Sequence, residues 1–441
     1  MIQRIYSTLV NSSEEDFQAK TTIFRHSFDT TTVTMKFESL ALIGLLTSSA
    51  FAVPKTKRAL DPSQPINDSG KGAPLLGGTN KANDLQNPDQ LRTPSTDNGF
   101  VPNVKWSFSQ SQTKLFNGGW SREQVIQDLP QSHDIAGAQQ HLKKGAIREL
   151  HWHRTAEWGF LYNGSLLLTG VDENGAFTTE VLKAGDIWYF PKGVAHNVQG
   201  LDDENEYLLA FDDGDFEKIG TTFMVDDWIT HTPKDVLAKN FGVSPDVFDK
   251  VPTKFPYILN GTVSADAKKA PEGTLKGNSS YVFHTYDHPS EPVPGRGGTF
   301  RKIDSRNFPI SKTLAAAIVE LEPKGLRELH WHPNAEEWLY FHQGQARATV
   351  FTGNSNARTF DFTAGDTAVF PDNSGHYIEN TSETEKLVWI ELYKSDRVAD
   401  ISLAQWLALT PSDTVANVLK VDIEVVEHIK KEKQLLLPGN K

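Results

Sequence analysis

The sequence predicts an all-β fold with short helical tails, built as two tandem jelly-roll β-barrel domains. Three observations carry that expectation. Short runs of strand-forming residues alternate with turn residues, as in Leu161-Tyr162, Asn163-Gly164 and Ser165–Leu168, where Asn-Gly favours a hairpin turn. A histidine-bearing stretch, GAIRELHWHRTAEWGFLYNG from Gly145 to Gly164, returns as GLRELHWHPNAEEWLYFHQG from Gly325 to Gly344. Each half then closes on helix signals, Trp228 with Thr232-Pro233 being echoed by Trp406 with Thr410-Pro411, while Ser244-Pro245 has the order of a helix start.

The repeat keeps its spacing. His330 follows His151 by 179 residues, and His376 follows His196 by 180, as Gly365 follows Gly185. Conservation of both residue type and spacing marks two copies of one domain, expected over 101–255 and 256–441. The strand character of Gln345–Phe351 and Leu387–Tyr393 belongs to the second copy.

Upstream of the repeats the composition changes. Residues 1–34 are polar and without sustained periodicity, and the stretch 35–52 has the order of a secretory signal. Lys36 follows Met35, an apolar run spans Leu40 to Leu46, and Ala50-Phe51-Ala52 makes a small-x-small cleavage site. Translation is therefore expected to start at Met35, with residues 1–34 an over-extension. The apolar run is too short to cross a bilayer. Residues 53–100, rich in Pro, Gly, Asn, Asp and Lys, read as a flexible lead-in containing the dibasic pair Lys57-Arg58. Sequons at Asn67, Asn163, Asn260, Asn278 and Asn380 agree with a secreted, extracellular glycoprotein. A net charge of −12 without long runs of one sign gives no footprint for nucleic acid. The absence of cysteine excludes disulfides, thiolate metal sites and cysteine nucleophiles.

Histidine and carboxylate remain as ligand types. In a strand, residues two apart share a face, so His151 and His153 converge on one point. Arg154-Thr155-Ala156 supplies a turn that returns Glu157, and His196 lies downstream after Pro191-Lys192-Gly193. The second set is His330, His332, Glu337 and His376. Three imidazoles and a carboxylate suit a divalent ion such as manganese, iron or zinc.

The pattern G-x5-HxH-x3-E-x6-G (Gly145, His151, His153, Glu157, Gly164), followed by G-x5-PxG-x2-H (Gly185, Pro191, Gly193, His196), resembles the double motif of the cupin superfamily. The second copy has Gly325 one residue closer to its histidine, an extra residue before Glu337, and Asn373 for the second glycine, with every ligand kept. Two such domains sharing Arg-Glu-Leu-His-Trp-His resemble the bicupin oxalate decarboxylases, particularly the secreted fungal ones, from about Val101 onward. That resemblance implies two Mn(2+) per chain, dioxygen as co-reactant, a homohexamer, and conversion of oxalate to formate and carbon dioxide. Oxalate oxidase, or a non-enzymatic binding or storage bicupin, are the alternatives. An anionic substrate on an acidic protein needs a local cation, for which Arg148 and Arg327 are the candidates. Strict strand alternation would turn each away from its histidine, so an irregularity is expected there. An acid must also deliver a proton. The family lid corresponds here to Glu217-Lys218-Ile219-Gly220-Thr221, making Glu217 one candidate, and Glu391 in LVWIELYK, paired with Arg327, is the other.

Overall fold

Glycine 164 shows how this chain builds its layers. It follows the strand Glu157–Asn163 and precedes Ser165–Val171 with a φ of 84°, a conformation that costs an L side chain but not glycine. These two strands do not pair. They enter different sheets, because Leu161, Leu166 and Leu168 bury into one core from opposite sides. The hairpin expected at Asn163-Gly164 is thus a crossing between sheets, and the paired hairpin comes next, Ser165–Val171 with Phe177–Lys183.

The computed structural model describes residues 80–91, 94–254, 256–264 and 281–439. The signal-like stretch, Lys57-Arg58 and the sequons at Asn67 and Asn278 lie outside the described residues. Four antiparallel sheets make up the rest, two per half. In the first half one sheet runs Val282–Phe283, Ile187–Phe190, Glu157–Asn163, Glu204–Phe211, Ala136–Lys143, Gly119–Gln124, Lys114–Leu115. Its facing sheet runs Thr222–Met224, Ile147–His153, Ala195–Gly200, Ser165–Val171, Phe177–Lys183, with Ile258–Leu259 also on Ile147–His153. The second half repeats this, with Leu436–Leu437 in the place of Ile258–Leu259.

None of these sheets closes into a barrel, which corrects the β-barrel expectation. Each half is a sandwich of two open sheets. The edges that closure would use are taken by exchanged arms. Lys105–Ser107, from before the first repeat, pairs with Asp366–Phe370 of the second half, and Val282–Phe283 pairs back with Ile187–Phe190 of the first. Pairing an edge with an arm satisfies its backbone groups without curling the sheet onto its neighbour.

Part of the expected flexible lead-in is ordered. Helices Lys81–Gln86 and Pro88–Leu91 lie against the second half, where Gln86 Nε2 reaches Asp366 Oδ1 (3.1 Å) and the Asp361 amide donates to Asp89 Oδ1 (3.3 Å). Three large buried clusters follow among the described residues, beside a small one of Ala315, Ala335, Tyr393 and Val398. One fills each sandwich, and a third, with Phe108, Trp158, Phe160, Trp338, Tyr340 and Ile390 among its members, joins the outer sheet faces of the two halves. At that seam a Cβ on Gly137 would lie 2.4 Å from the Trp338 ring, so only glycine permits the approach. The helical tails comprise Val225–Thr230 and Lys234–Phe241 in the first half, with Ser244-Pro245 opening a 3-10 turn. The second half has Leu403–Ala408, Ser412–Leu419 and Ile423–Glu427.

Candidate metal centres

Alternation along Ile147–His153 buries His151 and His153 and leaves Leu150 exposed. His196 on the neighbouring strand stands directly opposite His151, and Glu157 opens a strand of the facing sheet. The structure thereby brings His151, His153, Glu157 and His196 together, with one ligand atom from each within 4.8 Å of the others, and does the same for His330, His332, Glu337 and His376.

Hydrogen bonds orient these rings. The Nδ1 atoms of His151, His196, His330, His332 and His376 face the carbonyls of Glu149 (2.6 Å), Val194 (2.8 Å), Glu328 (2.7 Å), Ala399 (2.8 Å) and Ser374 (2.9 Å). A carbonyl accepts only from N–H, so the proton sits on Nδ1 and the Nε2 lone pair points inward. His153 Nδ1 instead meets the Thr222 hydroxyl at 2.9 Å. The carboxylates are held differently in the two halves: Trp188 Nε1 donates to Glu157 Oε1 (2.9 Å), whereas Glu337 Oε1 lies 3.2 Å from the Tyr393 hydroxyl oxygen.

The inner atoms crowd together: His376 Nε2 lies 2.8 Å from Glu337 Oε2, His153 Nε2 3.2 Å and His196 Nε2 3.3 Å from Glu157 Oε2, and His332 Nε2 3.3 Å from the Tyr393 hydroxyl. His153 Nε2, His330 Nε2, His376 Nε2 and Glu337 Oε2 are buried without a hydrogen bond. Burial and the neighbouring Arg148 and His196 keep His151 well below its ordinary value, and burial with Arg327 and His376 does the same for His330. Burial takes His153 down to about 4. His332 moves up: burial opposes its charge, but Glu337, Glu391 and Asp400 outweigh it. Despite burial, the neighbouring imidazoles keep Glu157 and Glu337 ionised far below the usual carboxylate range. Three imidazoles converging on one carboxylate, with inner nitrogens left buried without a hydrogen bond, fit a divalent cation in each half.

Arg148 reaches the cluster through the expected irregularity. The register shifts between His196, opposite His151, and Val198, opposite Arg148, so a bulge returns Arg148 to the inner face. Arg327 is placed by the same shift between His376 and Ile378. The two arginines then differ. The Arg148 guanidinium lies 3.7 Å from the Tyr257 ring centroid and donates to the Tyr257 carbonyl and Met224 Sδ, each at 3.4 Å. Among the described residues it has no carboxylate within ion-pair distance. Arg327 is fully buried, 3.0 Å from Asp400 Oδ2 and 4.0 Å from Glu391 Oε1, although its Nε and Nη1 find no hydrogen bond.

A small cavity of ≈ 10 Å³ adjoins the first cluster, lined by Arg148, His151, His153 and Glu157 and walled by Val198, Leu209, Phe211, Phe216, Tyr257, Tyr207 and Gln140. Glu217 is not in it. Its side chain is 44% exposed and pairs with Lys114 Nζ at 3.0 Å. Glu391 is brought in, accepting from the Tyr393 hydroxyl (2.9 Å) and Trp389 Nε1 (3.0 Å). Burial and the nearby Glu337 push Glu391 up to about 7 against the pull of Arg327. Sequence reasoning did not find Tyr257, Gln140, Tyr393 or Asp400. Aligning the repeats to their ends offers a signal for Tyr257: it stands where Leu435 stands in the other half, each preceding the short strand that covers its arginine.

The comparisons agree with this geometry. A family model described as "Cupin" matches residues 107–248 and again 285–427. A protein of Arthroderma benhamiae described as a probable oxalate decarboxylase is 61% identical over 404 residues, 91% of this chain and 100% of that protein. The oxalate decarboxylase OxdC of Bacillus subtilis is 43% identical over 86% of this chain and 97% of its own length. The structure of Bacillus subtilis oxalate decarboxylase at pH 4.6 superposes with a TM-score of 0.80 at 41% identity, covering 86% of this chain and 98% of that one. With both motif sets intact and both halves matched, the chain belongs to the cupin superfamily, within its two-domain oxalate decarboxylases.

Proposed function

We propose that the chain converts oxalate to formate and carbon dioxide, with manganese(II) held by each ligand set and dioxygen as co-reactant. One observation carries this reading: a small cavity beside an intact set of three histidines and one glutamate, lined by an arginine with no carboxylate partner among the described residues. The manganese(II) centres named for the Bacillus subtilis enzyme, 40% identical with a TM-score of 0.80, support the choice of metal.

When bound, manganese(II) supplies the Lewis acid and one-electron couple that breaking the carbon–carbon bond of oxalate needs. The chain's own residues do the rest. Arg148 takes a substrate carboxylate in a two-pronged contact, and Tyr257 beneath the guanidinium fixes its plane. Leu209, Phe211 and Phe216 exclude water, which strengthens that attraction. The balance, oxalate dianion plus one proton giving formate and carbon dioxide, requires an acid. At the first site it has to come from the loop that carries Glu217, since Leu209 stands where the second half has Glu391. Arg327 is already neutralised by Asp400 and Glu391, which favours the first site for turnover.

Oxalate supplied under air, with formate, peroxide and metal content measured together, tests this. Formate in near-equal amount to carbon dioxide, with up to two manganese per chain, is the expected result. The outward position of Glu217 favours a second reading, oxidation to carbon dioxide and peroxide, which peroxide without formate would establish. Full metal occupancy without turnover would leave a binding protein. His153→Ala and His332→Ala should each remove about one manganese.

Secretion and a homohexamer belong to the same reading. The exposed sequons at Asn163 and Asn260 support the first. Exposed aromatic residues on both tails, Trp228 and Trp406 at 66% and 56% exposure, support self-association.

A further inference from the structure

Lys114 lies outside both ligand sets, yet it joins two carboxylates of unequal standing. Its Nζ is 2.6 Å from Glu123 Oε2 and 3.0 Å from Glu217 Oε2. Glu123 is fixed on the strand Gly119–Gln124 and nearly buried, its other oxygen accepting from the Ser121 hydroxyl at 3.3 Å. Ser121 in turn accepts from Gln140 Nε2 at 3.3 Å, and Gln140 lines the cavity beside Tyr257 and Tyr207. Glu217 belongs to the loop 212–221 and is almost half exposed. Its preceding neighbour Phe216 is in the cavity wall, stacked on Phe211 with ring centroids 3.5 Å apart and 5.2 Å from the His153 ring. At the far end of the loop Gly220 adopts a φ of 83°, where backbone rearrangement meets no side-chain clash.

The two contacts of Lys114 therefore differ in strength. Separating it from Glu123 would strand a buried charge, whereas separating it from Glu217 breaks a half-exposed pair of small worth. With Glu217 present the trio carries one net negative charge, and without it the remaining pair is neutral. The cavity ahead holds Arg148 and, with a divalent ion bound, is strongly cationic, so a freed Glu217 is drawn toward it.

We propose that Lys114, anchored by Glu123, is a specificity-determining residue that catches Glu217 outside the first metal cavity. The partition of oxalate between formate and peroxide then depends on how readily that catch releases. This inference rests on the oxalate reading above. Glu217 is the group that supplies the proton when it is inside, and oxidation competes when it is held at Lys114.

The experiment compares the manganese-loaded full chain with Lys114→Met/Glu123→Gln, a pair of changes that removes the catch without leaving a buried charge alone. Peroxide formed per formate should fall roughly two- to five-fold, the range set by one weak ion pair. In a Glu217→Ala background the same two changes should have no effect on the ratio, and Lys114→Arg should restore the wild-type value. Manganese content reports folding and should be equal in all variants. An unchanged ratio in Lys114→Met/Glu123→Gln, or an equal shift in the Glu217→Ala background, would overturn the catch while leaving the decarboxylase reading intact. Wild-type protein that makes no formate would overturn the reading itself.

Discussion

Two arginines at equivalent positions have been given different work by their neighbours. Arg148 meets an aromatic face, a carbonyl and a thioether, so its charge is available to an anion. Arg148→Ala should lower kcat/KM for oxalate by roughly 100-fold, the scale of a lost charge-assisted pair, with manganese content and thermal midpoint near wild type. Arg327 is part of the second half's internal balance, with Asp400 also bound by Lys433 Nζ at 3.0 Å. Arg327→Ala leaves buried Glu391 without its cation and Asp400 with Lys433 alone, and should cost about 3 kcal/mol in denaturant titration. Equal effects of the two changes on both readouts would contradict this division. The pairing of Glu391 with Arg327 was legible in sequence as a charge in an apolar strand that needs a partner. Asp400 was not, since it reaches Arg327 from a separate segment 73 residues away.

At the scale of elements, the bulge beside each third histidine decides what faces the metal. Alternation alone turns Arg148 and Arg327 outward, and one extra residue in each ladder reverses that. Turns decide modification in the same way. Asn163 and Asn260 are exposed at strand ends, and the proposed secretion predicts that both carry N-linked glycan in protein from its native source. Asn380 is buried, and its Nδ2 contacts the carbonyls of Leu321, Glu322 and Glu385 at 3.1, 3.1 and 2.8 Å. Mass spectrometry of tryptic peptides should find Asn380 unmodified, and a glycan there would contradict the buried arrangement. Asn380→Ala should lower stability by about 1–3 kcal/mol by leaving those carbonyls unpaired.

Across the whole molecule the halves are bound by two exchanged strands and a common apolar seam. Lys105 illustrates the strength of the exchange: its buried ammonium contacts the Gln86 and Asp361 carbonyls at 2.9 and 2.6 Å and lies 3.3 Å from Asp366. Calorimetry of the metal-loaded chain should therefore show one cooperative transition, and two separate peaks would indicate independent halves. Lys105→Met should lower that transition, at a cost of about 3 kcal/mol, because it leaves the fully buried Asp366 without its cation. Chelation should lower it further, since converging lone pairs without a cation between them repel.

What the sequence determined by itself is whatever recurs at fixed spacing. The duplication, the eight ligands and the half-buried strands that carry them follow from side-chain periodicity, which is local and survives without knowledge of the rest of the chain. Tertiary structure alone decided the open sandwiches, the strand exchange, the setting of Arg148 and Arg327, and the capture of Glu217 by Lys114, 103 residues away. Each depends on contacts between segments far apart in the chain. Hydrogen-bond pairing and charge pairing at such distances are set by how the sheets stack, and no local pattern of residue types encodes them.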